Sequence, residues 1–344
     1  MVERFPQNPL LVPSDCPPSR EGLRVVSLLN PAAFVYKGEV RLLIRVAERP
    51  EQEKGWVSVP VFERGRLELL RFRRHDPKLD ARDPRAITYA GRTYLTRVSH
   101  LRMAGSADGI DFRVARRPTL AGEGPAESYG IEDPRVVRIG RRYFITYTAV
   151  SGDGVAVALA STSDWRSFRR GGVIFPPHNK DAVLFPESLG GRYMCLHRPR
   201  DLVFNTSFVW IAESKDLLHW GNHRRVFGTR PGAWDSSRVG AGAEPIRTRR
   251  GWLVIYHGAD ERNRYALGAA LLDGRRPWIV KARSRKPIME PTAPYEKKGF
   301  FGNVIFTNGH VVRGDEAIIY YGASDSVVCA ARASINEILR SLGR

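Results

Sequence analysis

A chain of 344 residues with 42% hydrophobic and 26% charged residues has an ordinary globular composition and can bury a large core. No apolar run approaches the roughly 20 residues needed to cross a bilayer. The start, "MVERFPQNPLLVPSDCPPSR", lacks a basic-then-apolar leader pattern, so a cytoplasmic location and no membrane partner are expected. The net charge of +19 is compatible with nucleic acid, an acidic membrane surface or an anionic substrate, and equally with genomic composition or a hot habitat, so it does not decide function. Its arginines are dispersed as turn pairs such as Arg141-Arg142 and Arg249-Arg250, without a basic tail or a zinc-finger, RRM or KH motif. Nucleic acid is therefore not expected as the main partner.

In chain order, an N-terminal arm of about 1–24 precedes a recurring frame. Each copy has a polar anchor, a strand, a turn with Gly and a basic residue, an aromatic-rich strand, and a small-residue strand leading into Ser/Thr-x-(x)-Asp. The copies are "NPAAFVYKGEVRLLIRVAE" from Asn30, "DPRAITYAGRTYLTRVSHLRMAGSADGIDF" from Asp83 and "EDPRVVRIGRRYFITYTAVSGDGVAVALASTSDWRSF" from Glu132. They continue with "KDAVLFPESLGGRYMCLHRPR" from Lys180, "AEPIRTRRGWLVIYHGADERNRYALGAALLD" from Ala243 and "GNVIFTNGHVVRGDEAIIYYGASDSVVCAARAS" from Gly302. The one amphipathic helix expected is the C-terminal tail, about 334–344.

Alternating strands and anchors at intervals of about 50 to 60 residues fit four-stranded propeller blades. The six partial copies predict a single all-β domain over 1–344, a five-bladed β-propeller closed by strands from both chain ends. A β-sandwich or a pair of β domains is the alternative. If the anchors open the innermost strands, Asn30, Asp83, Asp133, Lys180, Asp181, Glu244 and Asn303 converge at one mouth. Asx-Pro is also a common turn initiator, so any single anchor reads equally well as a turn cap. The three scattered cysteines are expected to be ordinary thiols, and no His/Cys/Asp cluster has metal-ligand spacing.

The segments "EDPRVVRIGRRYFITYTA", "KDAVLFPE", "YMCLHRP", "GAGAEPIRTRRGWLVIYHG", "YALGAALLD" and "IIYYGASD" run in order from about residue 25 to 335. In these the chain resembles glycoside hydrolase family 130, the β-mannoside phosphorylases and related mannosidases built on five-bladed propellers. The resemblance implies inverting phosphorolysis of β-mannosides by inorganic phosphate to α-mannose 1-phosphate, with no metal or other cofactor. It implies Asp133 as proton donor, with Asp83 as the rival carboxylate. It also implies Lys180, His197, Arg198, Tyr256 and His257 as phosphate contacts, and Arg45 and Asp325 near the sugar. Asp83, Glu132, Arg135, Asp181 and Glu244 complete the expected substrate-binding set. A raised pKa is expected for the donor. A hydrolase on the same site, or a non-catalytic carbohydrate-binding propeller, remains as an alternative. The chain departs from the family at "RMAGSADG", where Gly105 stands in place of a basic residue and is expected to widen the acceptor side. Linkage, acceptor and any homo-oligomer are left open.

Overall fold

The computed structural model describes residues 2–201, 203 and 206–343. Among these the chain is nearly all β, with α-helix only at Pro294–Lys297 and Ile335–Ser341. Five antiparallel sheets follow one another along the sequence. Sheet I contains Leu23–Tyr36, Glu39–Pro50, Val98–Ser106 and Arg113–Val114. Sheet II contains Ile131–Ile139, Arg142–Ser151, Gly154–Thr162 and Arg169–Phe175. Sheet III contains Asn179–Leu184, Tyr193–Pro199, Phe208–Ser214 and Gly221–Gly228. Sheet IV starts at Arg238–Ala241, resumes at Ile246–Thr248, and adds Gly251–Ala259, Tyr265–Leu272 and Val280–Arg283. Sheet V contains Ile305–Arg313, Glu316–Ala323 and Val327–Ser334, and takes its outer strand, Val2–Arg4, from the N-terminus. Among the described residues no helix is long and apolar enough to cross a membrane.

The repeat resolves into turn chemistry. Lys37-Gly38, Arg64-Gly65 and Ala90-Gly91 each have two positive φ angles (53° and 84°, 50° and 74°, 48° and 82°), the backbone of a tight hairpin that twists with its strands. The Ser/Thr-x-Asp signature caps loops: Asp108 Oδ1 accepts from the N–H groups of Ile110 and Asp111, and Asp216 Oδ1 from those of Leu218 and His219. These aspartates are structural.

Both faces of each sheet are covered, because an apolar layer fills every gap between consecutive sheets. Val183 and Leu196 meet Val254 and Tyr256 between III and IV, Ile255 meets Ile319 between IV and V, and Leu42 meets Tyr320 between V and I. Phe34 and Leu43 meet Val136 and Ile145 between I and II. The first strands also touch in series: V with I, I with II, II with III, and III with IV.

Each first strand is interrupted at a polar residue. Register shifts fall at Asn30, Asp133, Asp181 and Asn308, and sheet IV breaks over 242–245, which holds Glu244. Asn30, Asp133 and Asp181 have φ of 47°, 50° and 52°, a left-handed conformation that Asn and Asp tolerate better than other side chains. A bulge of this kind bends the strand and re-aims one side chain. The anchors are therefore bulges inside strands, and not turns before them.

Two expectations are corrected here. The copy starting at Asp83 is no separate sheet: it contributes Ala86–Tyr89 and Arg92–Leu95 to a small three-stranded sheet, and Val98–Ser106 to sheet I. The anchor of sheet V is the buried Asn308, while Asn303 is exposed in the preceding loop.

Candidate active site

The bulges of sheets I and II bring Asn30 and Asp133 together. Asn30 Nδ2 donates to Asp133 Oδ1 at 2.9 Å, and Arg45 Nη1 donates to the same oxygen at 3.1 Å. Arg45 Nη2 reaches Glu132 Oε1 at 2.5 Å, and its Nε is fixed by Ser99 Oγ at 3.1 Å. Asp133 is 5% exposed, so burial alone would raise its pKa. Arg45, Lys180, the Asn30 hydrogen bond and Arg135 together outweigh burial and hold it below the usual carboxylate range. Asp133 is thus ionised at neutral pH in the ligand-free protein, contrary to the raised value expected of a proton donor.

Asp181, 2% exposed, organises the opposite side. Its Oδ2 accepts from Arg198 Nε at 2.7 Å and lies 3.3 Å from His257 Nε2, while Oδ1 accepts from Arg135 Nη2 at 3.2 Å. Burial opposes ionisation, but Arg198, His257 and Arg135 hold its pKa well down. Gly240 makes this packing feasible, since a Cβ there would collide with both Asp181 Oδ2 and His257 Nε2. Lys180 pairs directly with Arg198 across the strands of sheet III, and the charges of both act on Asp133. Arg135 spends its donors on the carbonyls of Asp133, Ala241 and Gly242 as well as on Asp181. It ties sheets II, III and IV together as a positioning residue, and so does Asp181.

Asp325, in the turn between the last two inner strands of sheet V, completes the ring. Burial pushes its pKa up to about 6; Arg45 and Lys180 oppose this, while Asp133 and Glu132 reinforce it. Asn30 Oδ1, Asn308 Oδ1 and His257 Nδ1 are buried without a hydrogen-bond partner, a set of unmet polar atoms that a polyhydroxylated, anionic ligand pair would satisfy. Among the described residues no group of three His, Cys, Asp or Glu is arranged to hold a metal ion.

The family profile described as beta-1,4-mannooligosaccharide phosphorylase, glycoside hydrolase family 130, matches residues 81–344. The chain belongs to glycoside hydrolase family 130. It is 44% identical over 348 residues to the beta-1,2-mannobiose phosphorylase of Listeria innocua serovar 6a, covering 99% of this chain and 98% of that one. It is 40% identical over 244 residues to a 1,2-beta-oligomannan phosphorylase of a Thermoanaerobacter species, covering 70% and 80%. The solved structure of the Listeria innocua phosphorylase in complex with beta-1,2-mannobiose superposes with a TM-score of 0.93 over 99% of both chains.

Within this family 130 chain, several expected contacts fall elsewhere. His197 and Arg198 are neighbours on a strand, so their side chains point to opposite faces. Arg198 joins Asp181, whereas His197 stacks on Phe175 at 4.3 Å and bonds Asn179 and His223. Burial, with His223 beside it, pushes His197 down to about 3, so it carries no charge for a phosphate. Tyr256 alternates with His257 in the same way. Its hydroxyl donates to Asp235 and accepts from Arg283, both at 2.9 Å, inside the layer between sheets III and IV. Both residues belong to the packing.

Asp83 is exposed and bonds its own neighbour Arg85, through both carboxylate oxygens. No described contact ties it to Asp133. Gly105 pairs with Arg41 at the hairpin end of sheet I, four residues along the strand from Arg45, and Arg41 fills the space a side chain would need.

Residues not expected to contribute also enter. Asn308 Nδ2 donates to the Asn30 carbonyl at 3.2 Å, and the ring of Tyr265 lies 6.2 Å from that of His257. "TNG" in "VIFTNGHV" held the signal for Asn308, because it repeats the polar break of "LNPAA".

Glu244 gives a pH prediction. Burial pushes it from 4.5 to about 8, and the nearby His310, itself pushed by burial to about 4, offers no compensating charge at 3.9 Å. The native state keeps a proton that the unfolded chain releases, so this group's contribution to stability is lost as pH rises from about 4.5 to about 8. In Glu244→Gln the melting temperature should decline less between pH 6 and pH 9 than in the parent. Parallel pH profiles would remove Glu244 as a cause.

Proposed function

We propose that this family 130 chain is an inverting β-mannoside phosphorylase acting on β-1,2-linked mannobiose or short oligomannosides. Full-length 44% identity to a beta-1,2-mannobiose phosphorylase supports the linkage. Five sequential four-stranded sheets, with the N-terminal strand closing the fifth, support a single five-bladed propeller whose channel mouth holds the polar breaks. The observation that carries phosphorolysis is the division of charge: the Asp133 carboxylate faces a cationic pair, Lys180 and Arg198, with His257, kept neutral by burial, beside Asp181.

An inverting hydrolase needs a second carboxylate free to activate water. On the cradle side Asp181 is committed to three partners, and Glu244, pushed by burial to about 8, keeps its proton at neutral pH. Phosphate arrives already nucleophilic and requires only charge-assisted donors.

The mannose to be transferred lies between the two groups, its hydroxyls meeting Asp325 and Asn30. Phosphate drawn onto Lys180 and Arg198 cancels part of the cationic field on Asp133, and loss of water raises its pKa further. The acid is then protonated when both substrates are bound. It gives its proton to the leaving oxygen, directly or through a sugar hydroxyl. The C1–O bond to the leaving sugar breaks as a phosphate oxygen bonds C1 from the opposite face, giving α-mannose 1-phosphate. A soluble cytoplasmic setting agrees with a phosphate co-substrate.

Incubation with β-1,2-mannobiose should consume the disaccharide only when phosphate is present. Equal release of free mannose without phosphate would make the chain a hydrolase, and no turnover would favour a binding module.

A further inference from the structure

Sheet I carries a file of arginines whose outer members the reaction above does not use. Arg45, Arg49 and Arg24 lie on one face, because Arg45 and Arg49 are four residues apart on one strand and Arg24 is registered opposite Arg49. Val98, the first residue of the third strand, pairs with Glu48, which sets Arg97, just before that strand, beside Arg49. The file therefore starts at Arg45, next to Asp133, and ends about 13 Å further out at the strand ends, counting four residues of strand rise.

The outer three are unneutralised. Among the described residues no carboxylate pairs with Arg24, Arg49 or Arg97, and the Nε atoms of Arg49 and Arg97 are buried without a partner. Burial, then the charges of Arg49, Arg45 and Arg24, depress the pKa of Arg97, against a weaker opposing effect of Asp325. Phe300, from the loop that packs on sheet V beside Ser324, stacks over the Arg97 guanidinium with 3.7 Å to the ring centroid. An aromatic lid over a cation holds the guanidinium in place while leaving its N–H edge free for a ligand. Three like charges held this close cost free energy until an anion arrives.

Inversion fixes which subsite this is. Nucleophile and leaving group lie on opposite sides of C1, and the phosphate cradle belongs to sheets III and IV. The leaving sugar must depart toward sheets I and II, past Asp133 and Arg45. We infer that Arg24, Arg49 and Arg97 form an anion-binding extension of the leaving-group subsite, selecting β-mannosides whose reducing-side sugar bears a phosphate or carboxylate. The inference rests on the phosphorylase reading of the site.

The reverse reaction tests it. With α-mannose 1-phosphate as donor, the acceptor hydroxyl bonds C1, the C1–O bond to phosphate breaks, and the hydroxyl proton passes to Asp133. Acceptors to compare are mannose, mannose 6-phosphate and mannuronate. At least one anionic acceptor should show kcat/KM about 10-fold or more above mannose, with the difference shrinking at high salt as screening requires. Which one leads distinguishes a phosphate from a carboxylate. Arg24→Gln, an exposed site that leaves the sheet intact, and Arg97→Gln should each lower the anionic-to-neutral ratio about 3-fold or more. Anionic acceptors no better than mannose, or a ratio unchanged in both variants, would overturn the inference while leaving the phosphorylase reading standing. No transfer to any acceptor, mannose included, would overturn both.

Discussion

Asp133→Asn is expected to lower kcat for phosphorolysis of β-1,2-mannobiose by about 10²–10⁴-fold, the usual contribution of a positioned general acid. The amide keeps the size of the carboxyl and can still accept from Asn30 Nδ2 and Arg45 Nη1, so the bulge of sheet II should survive. What is lost is the transferable proton. A mannoside with a nitrophenyl leaving group needs little protonation, so its turnover should fall far less. The same change at Asp83, exposed and paired with Arg85, should leave both substrates within a factor of two of the parent. Steady-state rates on the two substrates check the pair of variants. Turnover of mannobiose within a few-fold of the parent in Asp133→Asn would remove it as the acid.

The second large effect is on stability and phosphate binding together. Asp181 is the shared counter-ion of Arg135 and Arg198, at 3.2 and 2.7 Å, and it also holds His257. Arg135 cannot turn to water, because its side chain is 2% exposed and spans three sheets. Removing one member of a buried ion pair leaves the other charge unpaired, which costs about 3–5 kcal/mol. Asp181→Ala should therefore lose about that much in denaturant unfolding. Any folded fraction should show a raised KM for phosphate, because Arg198 and His257 are no longer oriented. An unfolding midpoint and phosphate KM equal to the parent would show that Asp181 organises neither.

Much of this is legible in the sequence. Alternating strands, Gly-basic hairpins and Ser/Thr-x-Asp loop caps are local signals, and each fell where the pattern put it, as did the C-terminal helix at Ile335–Ser341. Asp133, Lys180, Asp181, Arg198, His257 and Asp325 meet because each sits at or beside the bulge or turn of its sheet. The misreadings have two physical sources. A strand sends successive side chains to opposite faces, so "HR" and "YH" each contain one site residue and one packing residue; a motif string does not say which. Sheet I is also interrupted by the hairpin Trp56–Glu63/Arg66–Arg73 and a small sheet, so its third strand arrives late and Asp83 looks like an anchor. Arg24, Arg49 and Arg97 are far apart in sequence and carry no motif. Only the register of three strands makes them neighbours.

The central claim is that an anion held by Lys180, Arg198 and His257 attacks the sugar from the face opposite Asp133. Following the reaction by ³¹P and ¹H NMR from its first minutes tests this most directly. The account predicts α-mannose 1-phosphate as the initial product, appearing in step with the free leaving sugar. A β-configured phosphate, or free mannose accumulating at the same rate without phosphate, would contradict it.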